Sequence, residues 1–72
     1  MQMRDFLSQA ADGYVWNKGE MGFAEALSLY LDAKDRGLVM GSEYRSQEGP
    51  DREILSFSVD RLTQLGETAR LS

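Results

Sequence analysis

The pattern of apolar and polar positions opens with a helical stripe. Apolar residues recur at intervals of three and four, at Met3, Phe6, Leu7, Ala10 and Ala11. This spacing places them on one face of a helix. Gly13 follows, and a glycine just past a helix end can adopt the left-handed conformation that terminates it. The pattern predicts a first helix over residues 3–12.

The next stretch lacks helical spacing. Tyr14, Val15 and Trp16 all have high β preference, which favours a short strand or an ordered loop. The segment 17–20 fits either a turn or a capping box, in which Asn17 would begin a helix and Glu20 would support it. Glycines at positions 19 and 22 make an early helix start costly, by about 1 kcal/mol each. We therefore predict a loop up to Met21.

The strongest helical pattern covers residues 23–36. Its predicted apolar face consists of Phe23, Leu27, Tyr30 and Leu31, widened by Ala26, Leu29 and Ala33. So broad an apolar arc predicts burial on more than one side. Gly37 and Leu38 then fit the two positions after a helix end, where leucine can fold back onto the last turn.

A hairpin over residues 38–59 is predicted next. Leu38, Val39, Met40 and Tyr44 indicate a strand over 38–45, and Leu55, Phe57 and Val59 alternate with serines in a second strand. Residues 46–51, which include Pro50, have the composition of a turn, and this tip is the best candidate for a mobile element. The alternation breaks between Val59 and Leu62, which predicts a bulge or an earlier strand end.

The last apolar positions predict a short final helix. Leu62, Leu65 and Ala69 share a helical face, and either Asp60 or Thr63 could cap its first turn. The chain of 72 residues is thus predicted to be one α+β domain over residues 1–72, with the order α-(short β)-α-β-β-α.

Composition narrows the possible classes. The chain has no cysteine and no histidine, which excludes a disulfide framework and makes a structural zinc site unexpected. No apolar run approaches the ~20 residues that span a bilayer. No signal-peptide core follows the first residues, so we expect a cytoplasmic location. The net charge is −4, the wrong sign for a protein that simply coats nucleic acid.

The segment from Ala33 to Leu71 resembles the C-terminal part of small winged-helix domains of the PadR and MarR type. The matching features are Gly37-Leu38-Val39 after a helix, the hairpin as a two-stranded wing, and Leu62-Thr63-Gln64-Leu65-Gly66 as the L-T-x-x-G that opens a terminal helix. The resemblance covers about half of the chain and implies DNA binding, with helix 23–36 in the recognition position. A full winged helix has three helices before the wing, whereas this sequence has two, so the resemblance implies a reduced version.

No constellation of catalytic residues stands out. The chain lacks a histidine or cysteine nucleophile, and no serine lies in a G-x-S-x-G motif. Asp32 and Asp35 could share a metal, but two carboxylates on a helix surface are far more often solvated. Gly19 and Gly22 lack the spacing of a phosphate-binding loop. We expect a protein that is not an enzyme and that needs no metal or cofactor.

Two functional hypotheses remain. Helix 23–36 offers mostly carboxylates where a groove-reading helix needs Arg, Lys, Asn or Gln, so we favour a protein partner over DNA. A homodimer through the final helix or through helix 23–36 is a third possibility, compatible with either hypothesis. Tyr14 and Trp16 are candidate anchors for a partner, and the alternative is that they cover one end of the core. Arg45 and Arg52 are candidate DNA contacts in the wing, and the alternative is that they pair with nearby acids.

Overall fold

The computed structural model describes residues 1–47 and 52–71. It contains three helices and three strands in the order α1 (Met3–Ala11), β1 (Val15–Asn17), α2 (Phe23–Asp35), β2 (Val39–Arg45), β3 (Ile54–Leu62) and α3 (Gln64–Leu71). This confirms the predicted α+β class and the predicted order. Of the predicted mobile tip, residues 46–51, positions 48–51 with Pro50 lie outside the described residues.

The strands form one antiparallel sheet in the order β1-β3-β2. Trp16, Phe57 and Glu43 are aligned across it, and this face packs against the helices. The opposite face, which we call the open face, carries Val15, Ser58 and Ser42 in one row and Asn17, Ser56 and Tyr44 in the next. Its side chains are exposed or half-buried, because no described helix covers them.

The break in alternation along the second strand is a bulge, and not an earlier strand end. Met40 is aligned with Arg61 and Gly41 with Val59, which leaves Asp60 as an extra residue in β3. A second irregularity leaves Leu55 extra near the other end of β3. Each extra residue shifts the alternation by one position, so the buried side chains of β3 do not follow a strict period of two.

The core lies between the sheet and the helices and is centred on aromatic rings. Phe6 and Leu7 of α1, Tyr30 of α2 and Phe57 of β3 are its largest fully buried side chains. The predicted apolar face of α2 is confirmed except at Leu31, which is 44% exposed. Ala26, Tyr30 and Ala33 are buried, and Phe23, Leu27 and Leu29 pack against the core. The small alanines let α2 approach the core closely, and Leu31 is displaced to the flank of the helix.

The end of α2 is the glycine-terminated turn that the sequence predicts. Gly37 has φ +74°, and the amide of Leu38 donates to the carbonyl of Ala33 at 2.8 Å. The amide of Gly37 donates to the carbonyl of Lys34 at 3.1 Å. Together these bonds form a Schellman motif, which ends the helix and turns the chain directly into β2.

The L-T-x-x-G segment binds this same turn. The hydroxyl of Thr63 donates to the carbonyl of Gly37 (2.6 Å), and the amide of Thr63 donates to the carbonyl of Leu38 (2.9 Å). The Thr63 hydroxyl also accepts the amide of Gly66 at 3.1 Å, so Thr63, and not Asp60, caps α3. The glycine-terminated turn at Gly37-Leu38 and the L-T-x-x-G segment, the two motifs quoted for the resemblance, are therefore in direct contact.

The predicted apolar face of the final helix is wrong in two positions. Leu62 belongs to β3, and Leu65 is exposed on the outer side of α3. Gly66 is the buried residue of α3 instead, and Ala69 packs against the core. The helix approaches the turn at Leu38 so closely that a glycine is required at the contact.

Candidate protein-binding surface

Trp16 lies in the core and not on the surface. It is 5% exposed, and its ring stacks on Phe57 at 5.1 Å with an interplanar angle of 14°. The rings of Phe6 and Tyr14 lie 5.1 and 4.8 Å from it. Of the two hypotheses for Trp16, this packing supports the one in which it covers the core, because a buried ring is not accessible to a partner.

Tyr14 lies at the surface above Trp16. Its side chain is 46% exposed, and its hydroxyl donates to Glu20 Oε2 at a long 3.4 Å. Val15 follows on the open face of the sheet and is also exposed. Both residues belong to the β1 side of the sheet, where β1 is an edge strand. A ring fixed by packing and exposed on one side is well suited to contact a partner.

A tight turn presents a third apolar side chain beside β1. Its glycines Gly19 and Gly22 have φ of +97° and +83°, and Glu20 contacts Asn17 Nδ2 through Oε1 at 2.9 Å. Met21, between these glycines, is fully exposed. The segment is therefore a loop, as predicted, and not a capping box: α2 begins after Gly22, which offers no side-chain cap.

We call the exposed apolar residues at and beside β1 the β1 surface: Tyr14 on the helix side, Val15 on the open face and Met21 in the following turn. The side chains of Asp12 and Glu20 flank it and are exposed. Neither carboxylate forms a salt bridge among residues 1–47 and 52–71. The surface therefore combines three exposed apolar side chains with a negative rim.

Arg45 and Arg52 lie at the end of the hairpin, next to Glu53, which binds Lys18 of the turn after β1. The guanidinium of Arg45 donates to the backbone carbonyl of Arg52 at 3.2 Å. Of the acids expected to pair with them, Glu43 binds Lys34 at 2.7 Å and Glu53 binds Lys18 at 2.6 Å, whereas Glu48 and Asp51 lie outside the described residues. The structure thus holds two groups of candidate residues, one at β1 and one at the end of the hairpin.

The salt bridge between Lys34 and Glu43 joins α2 to β2 above a buried tyrosine. Their hydrogen bond lowers the pKa of Glu43 and raises the pKa of Lys34. Burial, followed by the charge of Glu43, raises the pKa of the Tyr30 hydroxyl. That hydroxyl is buried without a hydrogen-bond partner among the described groups, and it lies against Gly41. The cluster fixes the helix on the sheet.

The charges of α2 oppose a role in reading DNA. Lys34 is bound to Glu43, and Arg36, at the end of the helix, is bound to Asp32 at 3.1 Å. Asp35 is exposed nearby. The two basic side chains that the sequence offers in this region are thus already neutralised, and no base-reading amide is present on the helix.

The sequence interpretation missed Met21, Met40 and Tyr44 as exposed apolar residues. Tyr44 is the aromatic residue that the ring contacts do not join to the core cluster. Tyr44 lies four positions after Met40 in β2, and residues separated by an even number of positions share one face of a strand. The sequence therefore indicated that the two side chains lie on the same face. Met21 had only the two flanking glycines as a signal.

Searches within the described residues find no pocket, no group of acidic side chains that could hold a metal, and no helix long and apolar enough to cross a membrane. No family model, curated protein or solved structure matches the chain.

Proposed function

We propose that this protein is a small non-enzymatic regulatory module that acts by binding another protein. The observation that carries the proposal is the β1 surface: Tyr14, packed on Trp16, and Met21, in the turn after β1, are both exposed beside a short edge strand, and Val15 is exposed on the open face of that strand. Exposed tyrosine and methionine side chains are typical of protein interfaces. The rigid packing of Tyr14 on Trp16 supports the same reading, since an ordered ring loses little entropy on binding.

The negative rim defines the chemistry of the partner. Asp12 and Glu20 flank the apolar side chains, and the chain as a whole carries a charge of −4. Complementary charges steer association and select among partners. The expected partner therefore presents an apolar anchor between basic side chains.

The partner is to be identified by photo-crosslinking. A photoreactive phenylalanine analogue at position 21 would replace a side chain that makes no packing contact. The same analogue at position 65, on the exposed side of α3, serves as the matched control. A protein captured from position 21 and not from position 65 is then purified for affinity measurements.

Substitutions on the β1 surface are expected to weaken that complex. Tyr14→Ala should raise the dissociation constant by about tenfold or more, because truncating an aromatic anchor typically costs over 1 kcal/mol. Met21→Ser should weaken binding without any effect on stability, since Met21 is fully exposed. Both are measured by calorimetry.

Leu65→Ser is the control for these substitutions, because Leu65 is also apolar and exposed but lies on α3. The thermal unfolding temperature of each variant shows whether weaker binding comes from a lost contact or from a destabilised fold. Unchanged affinity in both β1-surface variants would contradict the proposal.

One observation favours DNA binding as a second candidate function. Within residues 1–47 and 52–71, the guanidinium groups of Arg45, Arg52 and Arg61 form no salt bridge, and all three belong to the β2–β3 hairpin region. In the winged-helix reading this hairpin is the wing. The Gly37 turn and its contact with Thr63 support that reading, which would make the chain a reduced winged-helix regulator.

Fluorescence anisotropy with random-sequence duplex DNA tests this alternative. If the wing binds DNA, reversing both Arg45→Glu and Arg52→Glu should weaken binding and flatten the logarithmic salt slope by about 2. Arg70→Glu, on α3, is the control for a charge reversal outside the hairpin. No binding at ~50 mM salt, where phosphate contacts are strongest, would eliminate the DNA candidate.

A further inference from the structure

β2 is a long edge strand whose outer side is not paired among the described residues. The sheet order β1-β3-β2 leaves it hydrogen-bonded to β3 on one side only. The strand runs over seven residues, from Val39 to Arg45. Most of its residues are exposed or half-buried. An edge of this length offers a row of backbone donors and acceptors to another strand.

The backbone directions along this edge can be assigned. Just beyond the strand, the amide of Ser46 donates to Glu53 and the amide of Thr63 donates to Leu38, so positions 38 and 46 face β3. Both bulges are extra residues in β3, which leaves the alternation along β2 unbroken. The N–H and C=O groups of the odd-numbered residues 39–45 therefore point away from the sheet.

The exposed apolar side chains of β2 are arranged symmetrically. Met40 and Tyr44 are 49% and 60% exposed on the open face, and Ser42 lies midway between them. On the helix side, Leu31 shares a flank of α2 with Lys34, which reaches β2 through Glu43. Apolar surface therefore flanks the edge on both faces of the sheet.

We propose that β2 pairs in antiparallel orientation with β2 of a second copy of this chain, about a two-fold axis at Ser42. In that register, odd-numbered residues pair with odd-numbered residues: Gly41 with Glu43 of the second copy, and Val39 with Arg45. These are the residues whose backbone groups point outward, so every outward group between them finds a partner. The result is a continuous six-stranded sheet.

The side chains of β2 favour pairing with a second copy of this chain over pairing with an unrelated strand. Met40 lies opposite Tyr44 of the second copy, and the two-fold axis repeats this pair. The Met40 sulfur accepts hydrogen bonds from the Arg61 guanidinium at 3.1 and 3.2 Å, so an ordered thioether side chain would pack against each Tyr44 ring on the open face. The small Ser42 lies opposite itself, and its hydroxyl donates to Asp60 of the same chain at 3.4 Å, so the axis holds no bulky side chain. Glu43 lies opposite Gly41, where there is room, and its charge is already compensated by Lys34. A two-fold interface needs this kind of self-complementary pattern.

The interface goes beyond the proposed function, because it lies on the opposite edge of the sheet from the β1 surface. Pairing of two seven-residue strands with few large side chains should bury an interface area at the low end of the range for specific complexes. The dimer should therefore be weak, and its population should depend on concentration. It leaves the β1 surface free, so each dimer would present two copies of the partner site.

Sedimentation velocity of the full chain, from micromolar to millimolar concentration, tests the proposal. The wild-type chain should form a dimer within this range. Ser42→Lys should raise the dissociation constant by about fivefold or more, because it places like charges directly opposite each other across the axis. In the single chain the new lysine lies beside Asp60, which the Ser42 hydroxyl approaches at 3.4 Å, so the fold should tolerate it.

A mixing experiment distinguishes pairing from structural damage. An equimolar mixture of Ser42→Lys and Ser42→Glu chains should recover the dimer, since opposite charges would then meet at the axis. Arg45→Pro is an independent variant: it removes one outward N–H, which β3 does not use, and should also weaken the dimer.

Leu65→Lys is the control for an added positive charge, and it also tests association through α3. It should leave the dimer unchanged. The proposal is overturned if the wild-type chain stays monomeric throughout the range, if Ser42→Lys dimerises like the wild type, or if Leu65→Lys dissociates the dimer instead.

Discussion

Trp16→Ala should lower the free energy of unfolding by about 3–5 kcal/mol, the usual cost of deleting a large buried ring. Trp16 is 5% exposed and touches three other rings, among them Phe57 at the centre of the sheet. A domain of this size has a total stability on the order of 5–15 kcal/mol. The substitution should therefore leave much of the chain unfolded near physiological temperature, which thermal and urea denaturation followed by circular dichroism would report.

Trp16→Phe is the matched variant, because it keeps an aromatic ring against Phe57 and leaves a smaller cavity. It should cost clearly less than Trp16→Ala. The result also decides between the two hypotheses for this residue. A Trp16→Ala chain that unfolds like the wild type but loses its partner would show that Trp16 is a surface anchor and would contradict the packing described above.

Gly66→Ala should destabilise the domain by about 3 kcal/mol, although alanine is the better helix former. A Cβ at position 66 would lie 2.0 Å from the carbonyl oxygen of Leu38 and 3.3 Å from Cβ of Leu62. The first atom belongs to the backbone of the α2–β2 turn, so it cannot rotate away. The helix would have to retreat, which would break the bonds of Thr63 to Gly37 and Leu38.

Gly13→Ala is the control for losing a glycine without a steric clash. Gly13 has φ +81° with open space around it, so alanine should cost only about 1–2 kcal/mol of backbone strain. Equilibrium denaturation should place Gly66→Ala below Gly13→Ala in stability. If Gly66→Ala instead stabilises the domain, as helix propensity alone predicts, then α3 does not rest on the turn in the way described.

The elements themselves were predictable because they depend on local patterns. The period of α1, the glycine that ends α2 and the serine alternation around Phe57 each depend on residues close together in the sequence. The bulge was also predictable, since Val59 and Leu62 cannot both face the core without an extra residue between them. The turn before α2 followed from its two glycines.

The faces of the helices were less predictable, because they depend on what the helices pack against. Leu31 is more apolar than Ala33, yet Ala33 is buried, since a close helix–sheet approach selects small residues. For the same reason Gly66, and not Leu65, is buried in α3. Trp16 was ambiguous because a three-residue strand carries no period from which burial could be read. The exposure of Tyr44 depends on β2 being an edge strand, which only the strand order reveals.

The central position of β3 has a consequence for how the chain folds. β3 pairs with β2, its neighbour in sequence, and with β1, which lies far away near the start of the chain. Closing a short loop costs less entropy than closing a long one, so the hairpin can form early while β1 must be recruited from a distance. When β1 pairs with β3, the ring of Trp16 stacks on the ring of Phe57. We therefore expect the aromatic core to be completed late in folding. During synthesis on the ribosome, β1 cannot pair until β3 has been made.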